Sequence, residues 1–160
     1  MNDAQSRDGR DDLYFTASLL EFTARTTHNH IGDVARRIGV AGIESVYRFA
    51  PVSHCLSFEE NRDELVARYA IADGGFQVLD TKPKGITPPR FLSIGRSYAN
   101  LAAALEPDPG RYPRALYDLL CSEFSLRMED YRSALFYSPM DYQMLVYQAL
   151  PAAQHTERDM

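Results

Sequence analysis

The sequence predicts an all-α protein: a single globular bundle of about seven helices with one extended, Pro-rich basic segment. Three observations predict it. Apolar residues recur every three or four positions along most of the chain, the spacing of one helix face. The stretches that break this rhythm hold proline or glycine. The length, 160 residues, suits one core, and a 45% hydrophobic content with 24% charge is that of a folded domain.

Each element follows from its residues. Leu13, Ala17, Leu20 and Ala24 repeat at helical spacing, and Phe15, Leu19 and Phe22 widen the stripe. They predict a central helix over residues 12–26, with Asp11 and Asp12 at its positive end. A short helix over 31–38 ends at Gly39, which can take a left-handed cap. The next spans 42–50 and stops at Pro51. Ser57 and Glu60 stand at capping-box spacing and open a helix over 57–70, with Leu65, Val66 and Tyr69 inward. Its outer face is acidic: Glu59, Glu60, Asp63 and Glu64.

Asp73-Gly74-Gly75 then turns the chain, and residues 76–79 read as a short extended piece. Residues 81–90 hold three prolines and a glycine and should be extended. Helix resumes near 89–93 and reaches Leu105. Residues 106–110 (Glu-Pro-Asp-Pro-Gly) break it. Pro113 opens a long helix to about Leu135, with Leu116, Leu119, Leu120, Phe124 and Met128 inside. Ser138 as cap and Pro139 at the first helical position start the last helix, and Asp141 suits its positive end. Residues 1–10 and 152–160 are expected to be disordered tails around one domain over 11–151.

The formal charge is −5, so the chain as a whole is not built for nucleic acid. No apolar run can span a bilayer and residues 1–12 resemble no secretory signal, which predicts a cytoplasmic protein without membrane contact. Two cysteines make no disulfide framework; Cys55 and Cys121 both read as buried free thiols.

The clusters that could carry chemistry lack partners. His28 and His30 fall in a polar loop between helices and have no further ligands nearby. His54 and Cys55 are adjacent, so their side chains should diverge rather than form a nucleophile–base pair. No two carboxylates stand apart from the solvated acidic helix. The expectation is a non-enzymatic protein with no catalytic residue, no metal site and no cofactor.

Two patterns point to surfaces. Residues 31–40 (Ile-Gly-Asp-Val-Ala-Arg-Arg-Ile-Gly-Val) resemble the first half of the helix-turn-helix of the lactose-repressor family. Its would-be recognition helix starts Ala41-Gly42-Ile43-Glu44, without the Ser/Thr residues of that family. Arg36, Arg37 and Arg48 would contact DNA in this reading.

 A homodimer is the form this reading expects. Lys82, Lys84, Arg90 and Arg96 form the one markedly basic stretch, with no acid between residues 82 and 96. It could follow a phosphate backbone, or cover the core and pair with the acidic helix at 59–64. The C-terminal set Tyr137, Met140, Tyr142, Met144 and Tyr147 has the composition of an adaptable protein interface.

Several pieces together resemble an uncharacterised family of small helical bacterial proteins. They are Leu20-Glu-Phe-Thr-Ala-Arg-Thr-Thr-His-Asn29, Val52-Ser-His-Cys-Leu-Ser-Phe58, Asp63-Glu-Leu-Val66, Ile94-Gly-Arg-Ser-Tyr98 and Tyr137-Ser-Pro-Met-Asp-Tyr142. Members of that family are encoded in toxin–antitoxin-like operons, often near genes for ADP-ribosyltransferase-like proteins. The resemblance implies an antitoxin-like or accessory partner of a neighbouring toxin or effector, acting by protein–protein contact. A helix-turn-helix regulator using residues 31–50 is the alternative expectation.

Overall fold

A computed structural model describes residues 2–150, with side chains from residue 9 onward. Among the described residues there are seven α-helices: α1 (Asn2–Thr26), α2 (Ile31–Ser53), α3 (Phe58–Tyr69), α4 (Phe91–Leu105), α5 (Tyr112–Cys121), α6 (Glu123–Met128) and α7 (Met140–Ala149). The described residues contain no strand, as the all-α reading expects.

The helix α1 is the axis of the bundle. It packs mainly on α4 and α2, and α2 packs in turn on α5. Leu13, Ala17, Leu20 and Ala24 are all buried, so the predicted stripe is the inner face. The crossing with α4 is close because Gly95 faces Ser18. A Cβ on residue 95 would sit 2.7 Å from Ser18 Cα, nearer than real contacts allow. A second, aromatic cluster joins α1, α3 and α4. Phe22 and Phe58 each lie 5.0 Å from Phe91, ring centre to ring centre.

The boundaries differ from expectation in five places. Residues 2–10 are helical backbone at the start of α1, where the sequence suggested the helix would begin near residue 12. No proline occurs before Pro51, so nothing in the sequence forces a stop there. The expected tail at 152–160 lies outside the described residues.

Residues 31–53 form one helix instead of two, interrupted only at Gly39 (φ 77°, ψ 168°). That conformation is open almost solely to glycine. Pro51 sits in the last turn of α2, and the helix ends two residues later at Ser53. Near an end, one lost backbone bond is tolerated.

Residues 78–81 form a 3₁₀ turn where an extended piece was expected. The Thr81 hydroxyl donates to the Val78 carbonyl at 2.7 Å and tightens it.

The predicted long helix from Pro113 to Leu135 breaks at Ser122 (ψ 166°). Its hydroxyl donates to the Leu119 carbonyl at 2.7 Å and accepts from Phe124 N–H at 3.2 Å, closing α5 and capping α6. After α6 the chain turns rather than continuing as helix, since the Asp130 carboxylate accepts from Arg132 N–H at 3.2 Å.

At α7 the cap is Pro139 in extended conformation. Ser138 does not cap; its hydroxyl donates back to the Ala134 carbonyl at 2.7 Å. The capping box of α3 is as predicted: Glu60 N–H donates to Ser57 Oγ at 3.0 Å, and Ser57 N–H to Glu60 Oε2 at 3.4 Å.

Candidate functional site

Four surfaces and one buried cluster are candidates. On the predicted C-terminal interface, Tyr137, Met140 and Tyr142 are exposed. Met144 and Tyr147 are not: both pack partly against the core, and Tyr147 meets Phe124 edge-on at 5.6 Å. Leu145 takes the outward position instead. Helical spacing identified the helix but not which of its faces the bundle would cover.

A second apolar surface lies between α2 and α3. Phe49, Val52 and Leu56 are 54%, 70% and 49% exposed, unusual for side chains of this kind so close together. They border a cleft of about 320 Å³ floored by Leu19, Val46 and Leu65, with Glu64 and Arg68 in its lining. Phe49 and Val52 are one helical turn apart on α2, and Leu56 continues the stripe past its end. This surface was missed in the sequence. Pro51 suggested that the helix stopped, which hid the i, i+3, i+7 spacing.

The helix-turn-helix reading meets different geometry. The interruption of α2 is one residue wide, at Gly39, where such motifs use a turn of about three or four residues. Arg36 pairs with Asp33 at 2.6 Å and donates to the Cys121 carbonyl at 3.3 Å. Arg37 donates to the Tyr69 carbonyl at 2.9 Å. Both therefore brace the bundle. Arg48 is exposed, beside the apolar Phe49 and one turn from the exposed Glu44.

Of the basic stretch, Lys84, Arg90 and Arg96 are exposed and Lys82 is half-buried. Arg96 stacks on Tyr14 of α1, 4.7 Å above the ring. The expected pairing with the acidic helix is absent among the described residues. Asp63 and Glu64 pair within α3, with Arg62 at 3.0 Å and Arg68 at 2.9 Å.

His54 and Cys55 also differ from expectation. Cys55 is exposed, while Cys121 is buried as expected. The two side chains do not fully diverge: Cys55 Sγ lies 4.0 Å from His54 Nε2, a weak sulfur contact.

The buried cluster was not foreseen. Glu21 of α1 and Glu129, just after α6, are 1% and 2% exposed. Both belong to one buried polar cluster. Arg25 pairs with Glu21 at 2.9 Å; it also donates to the Pro89 carbonyl at 2.5 Å and to the Tyr131 hydroxyl at 3.3 Å. Tyr98 of α4 donates to Glu129 Oε2 at 2.9 Å.

His30, expected in a polar loop, is buried and caps α2. Its Nδ1 accepts from Gly32 N–H at 3.1 Å, so the ring proton sits on Nε2 and is donated to the Ser125 carbonyl at 3.3 Å. Glu129 Oε2 is 3.7 Å from the same nitrogen. Burial holds His30 below its ordinary pKa, and so neutral.

Burial also lifts Glu129 well above the ordinary carboxylate range, and the charge of Glu21 lifts it further. Tyr98 and Tyr131 are raised by burial and then by Glu129. For Arg25, burial acts downward, but Glu21 and Tyr131 outweigh it and the net shift is up.

The carboxylates are far apart in sequence, on elements that spacing rules cannot bring together. The one local signal was Glu21 itself, an acid set inside an apolar stripe between Leu20 and Phe22. None of the clefts described is lined by Glu21, His30, Tyr98 or Glu129. Among the described residues, no three His, Cys, Asp or Glu side chains are grouped to hold a metal.

No family model matches the chain, and no match to it was found among curated proteins or solved structures.

Proposed function

We propose that this chain is a protein–protein interaction module, an antitoxin-like or accessory partner of a protein encoded beside it. One observation carries the reading. Seven of the ten large exposed apolar side chains among the described residues fall in two groups: Phe49, Val52 and Leu56 around the α2–α3 cleft, and Tyr137, Met140, Tyr142 and Leu145 on and just before α7. Such patches cost solubility unless something covers them.

An aromatic or aliphatic side chain of the partner would enter the α2–α3 cleft, the usual anchor of a stable interface. The net charge of −5 favours a basic partner and faster encounter with it. The test is co-expression with the product of the adjacent gene. Wild type should co-purify with it, and the double variant Phe49→Asp, Val52→Asp should not. Failure of the wild type to form that complex overturns the reading.

A further inference from the structure

We propose that the turn at residues 83–86 docks in the α2–α3 cleft of a second copy of this chain, the two copies exchanging turns to close a dimer. The cleft lacks a cover, and the turn lacks a seat. Ile86 is 46% exposed, and Leu79, on the 3₁₀ turn before it, is exposed as well. Both stand outside the two apolar groups already described.

The turn is built to be presented. Ile86 N–H donates to the Pro83 carbonyl at 3.2 Å, and Gly85 has φ 84°, the arrangement of a type II turn with glycine at its third position. A Cβ on residue 85 would meet nothing within 4 Å, so the tip stands clear of the bundle. Both ends of the segment are tied down. Phe76 N–H donates to the His28 carbonyl at 2.9 Å, and Arg25 holds the Pro89 carbonyl. Pro83, Pro88 and Pro89 stiffen the chain between them. A loop held in this way loses little freedom on docking.

Charge complementarity selects the occupant. Residues 82–96 carry Lys82, Lys84, Arg90 and Arg96 and no acid. Arg96 stacks on Tyr14, but among the described residues no ion pair takes up Lys82, Lys84 or Arg90. The outer face of α3 is the opposite. Asp63 and Glu64 are paired with Arg62 and Arg68, which leaves Glu59 without a counter-charge and Glu60 engaged only by the Ser57 N–H. The two charged regions do not meet within one chain; between two copies they can.

Ile86 seated beside Leu56 sets Lys84 against Glu59 and Glu60 at the start of α3, away from Arg48 on the α2 edge. Apolar burial then supplies most of the affinity, and the charges fix the orientation. Reciprocal exchange uses one contact twice and fills both clefts, so assembly stops at two.

This docking rests on the same cleft as the interaction with a neighbouring protein, but the occupant differs and is tested on the purified full chain alone. Sedimentation equilibrium from about 1 μM to about 1 mM should show monomer passing to dimer. Monomer throughout, or assembly past the dimer, overturns the proposal. Ile86→Asp, and the double variant Phe49→Asp, Val52→Asp, should each raise the dimer dissociation constant at least about tenfold. All three positions are exposed, and circular dichroism checks that the variants fold. Mixed together, the two variants keep one intact turn facing one intact cleft and should associate more tightly than either alone. A mixture no tighter than its components overturns the exchange. Lys84→Glu should weaken the dimer about threefold, and Glu59→Lys added to it should restore the loss; no restoration overturns the charge pairing. A dimer that survives Ile86→Asp but is lost with Tyr142→Asp lies on α7 and overturns the docking. Failure of the adjacent-gene complex with the dimer intact overturns only that partner, and a monomeric chain that still co-purifies with it overturns only the self-docking.

Discussion

The centre of the bundle and the α2–α3 cleft reverse the usual placement of polar and apolar groups. At the centre, two carboxyls, a histidine and two tyrosines are packed away from water, with a half-buried arginine beside them. At the cleft, a phenylalanine, a valine and a leucine face it. The difference teaches where each group does its work. Buried polar groups are held by one another, so each removal leaves a partner stranded. Exposed apolar groups are held by nothing in the chain, so their removal leaves the fold almost untouched.

Substitutions can break that contrast or sharpen it. The largest loss should come from Arg25→Met, which strips the counter-charge from Glu21 and the donor from the Pro89 carbonyl. Urea unfolding should show about 3 kcal/mol less stability. Next is Tyr98→Phe, which leaves Glu129 without its hydroxyl donor and should cost about 2 kcal/mol by the same measurement.

Gly39→Ala is a control between the two regions. A Cβ there meets nothing within 4 Å, so crowding predicts no effect. The positive φ predicts a loss of about 1 to 2 kcal/mol in thermal or urea unfolding. The smallest effect on stability is expected for Phe49→Asp with Val52→Asp, within about 0.5 kcal/mol of wild type. If that double variant is instead as damaging as Arg25→Met, the cleft is part of the core and the contrast fails.

Local chemistry was legible in the sequence; meetings between distant residues were not. The α1 stripe, the capping box at Ser57 and Glu60, and the special role of Gly39 each depend on residues within one or two turns. Ser122 and Asp130 are also local, yet their effect was missed, because apolar spacing through Phe124 and Met128 argued for continued helix. There a hydroxyl and a carboxylate outcompeted periodicity for the backbone hydrogen bonds. The buried cluster was beyond reach for another reason. His30, Tyr98 and Glu129 each look like surface or loop residues until the bundle closes around Glu21. The apolar patch was hidden by Pro51, which ends helices in general but here stands too near the end to do so.

The contact between Arg25 and Tyr131 spans 106 residues of sequence. During synthesis, α1 leaves the ribosome long before the group that completes its surroundings. Until then Glu21 and Arg25 have each other, water and, once it emerges, the Pro89 carbonyl, and this part of α1 is not sealed against its neighbours. The final third of the chain therefore acts as a closing step for the first. A polypeptide truncated before Glu129 would keep its leading helices in sequence yet expose a hydrated ion pair at their centre, a mark by which quality-control proteases could tell unfinished chains from finished ones.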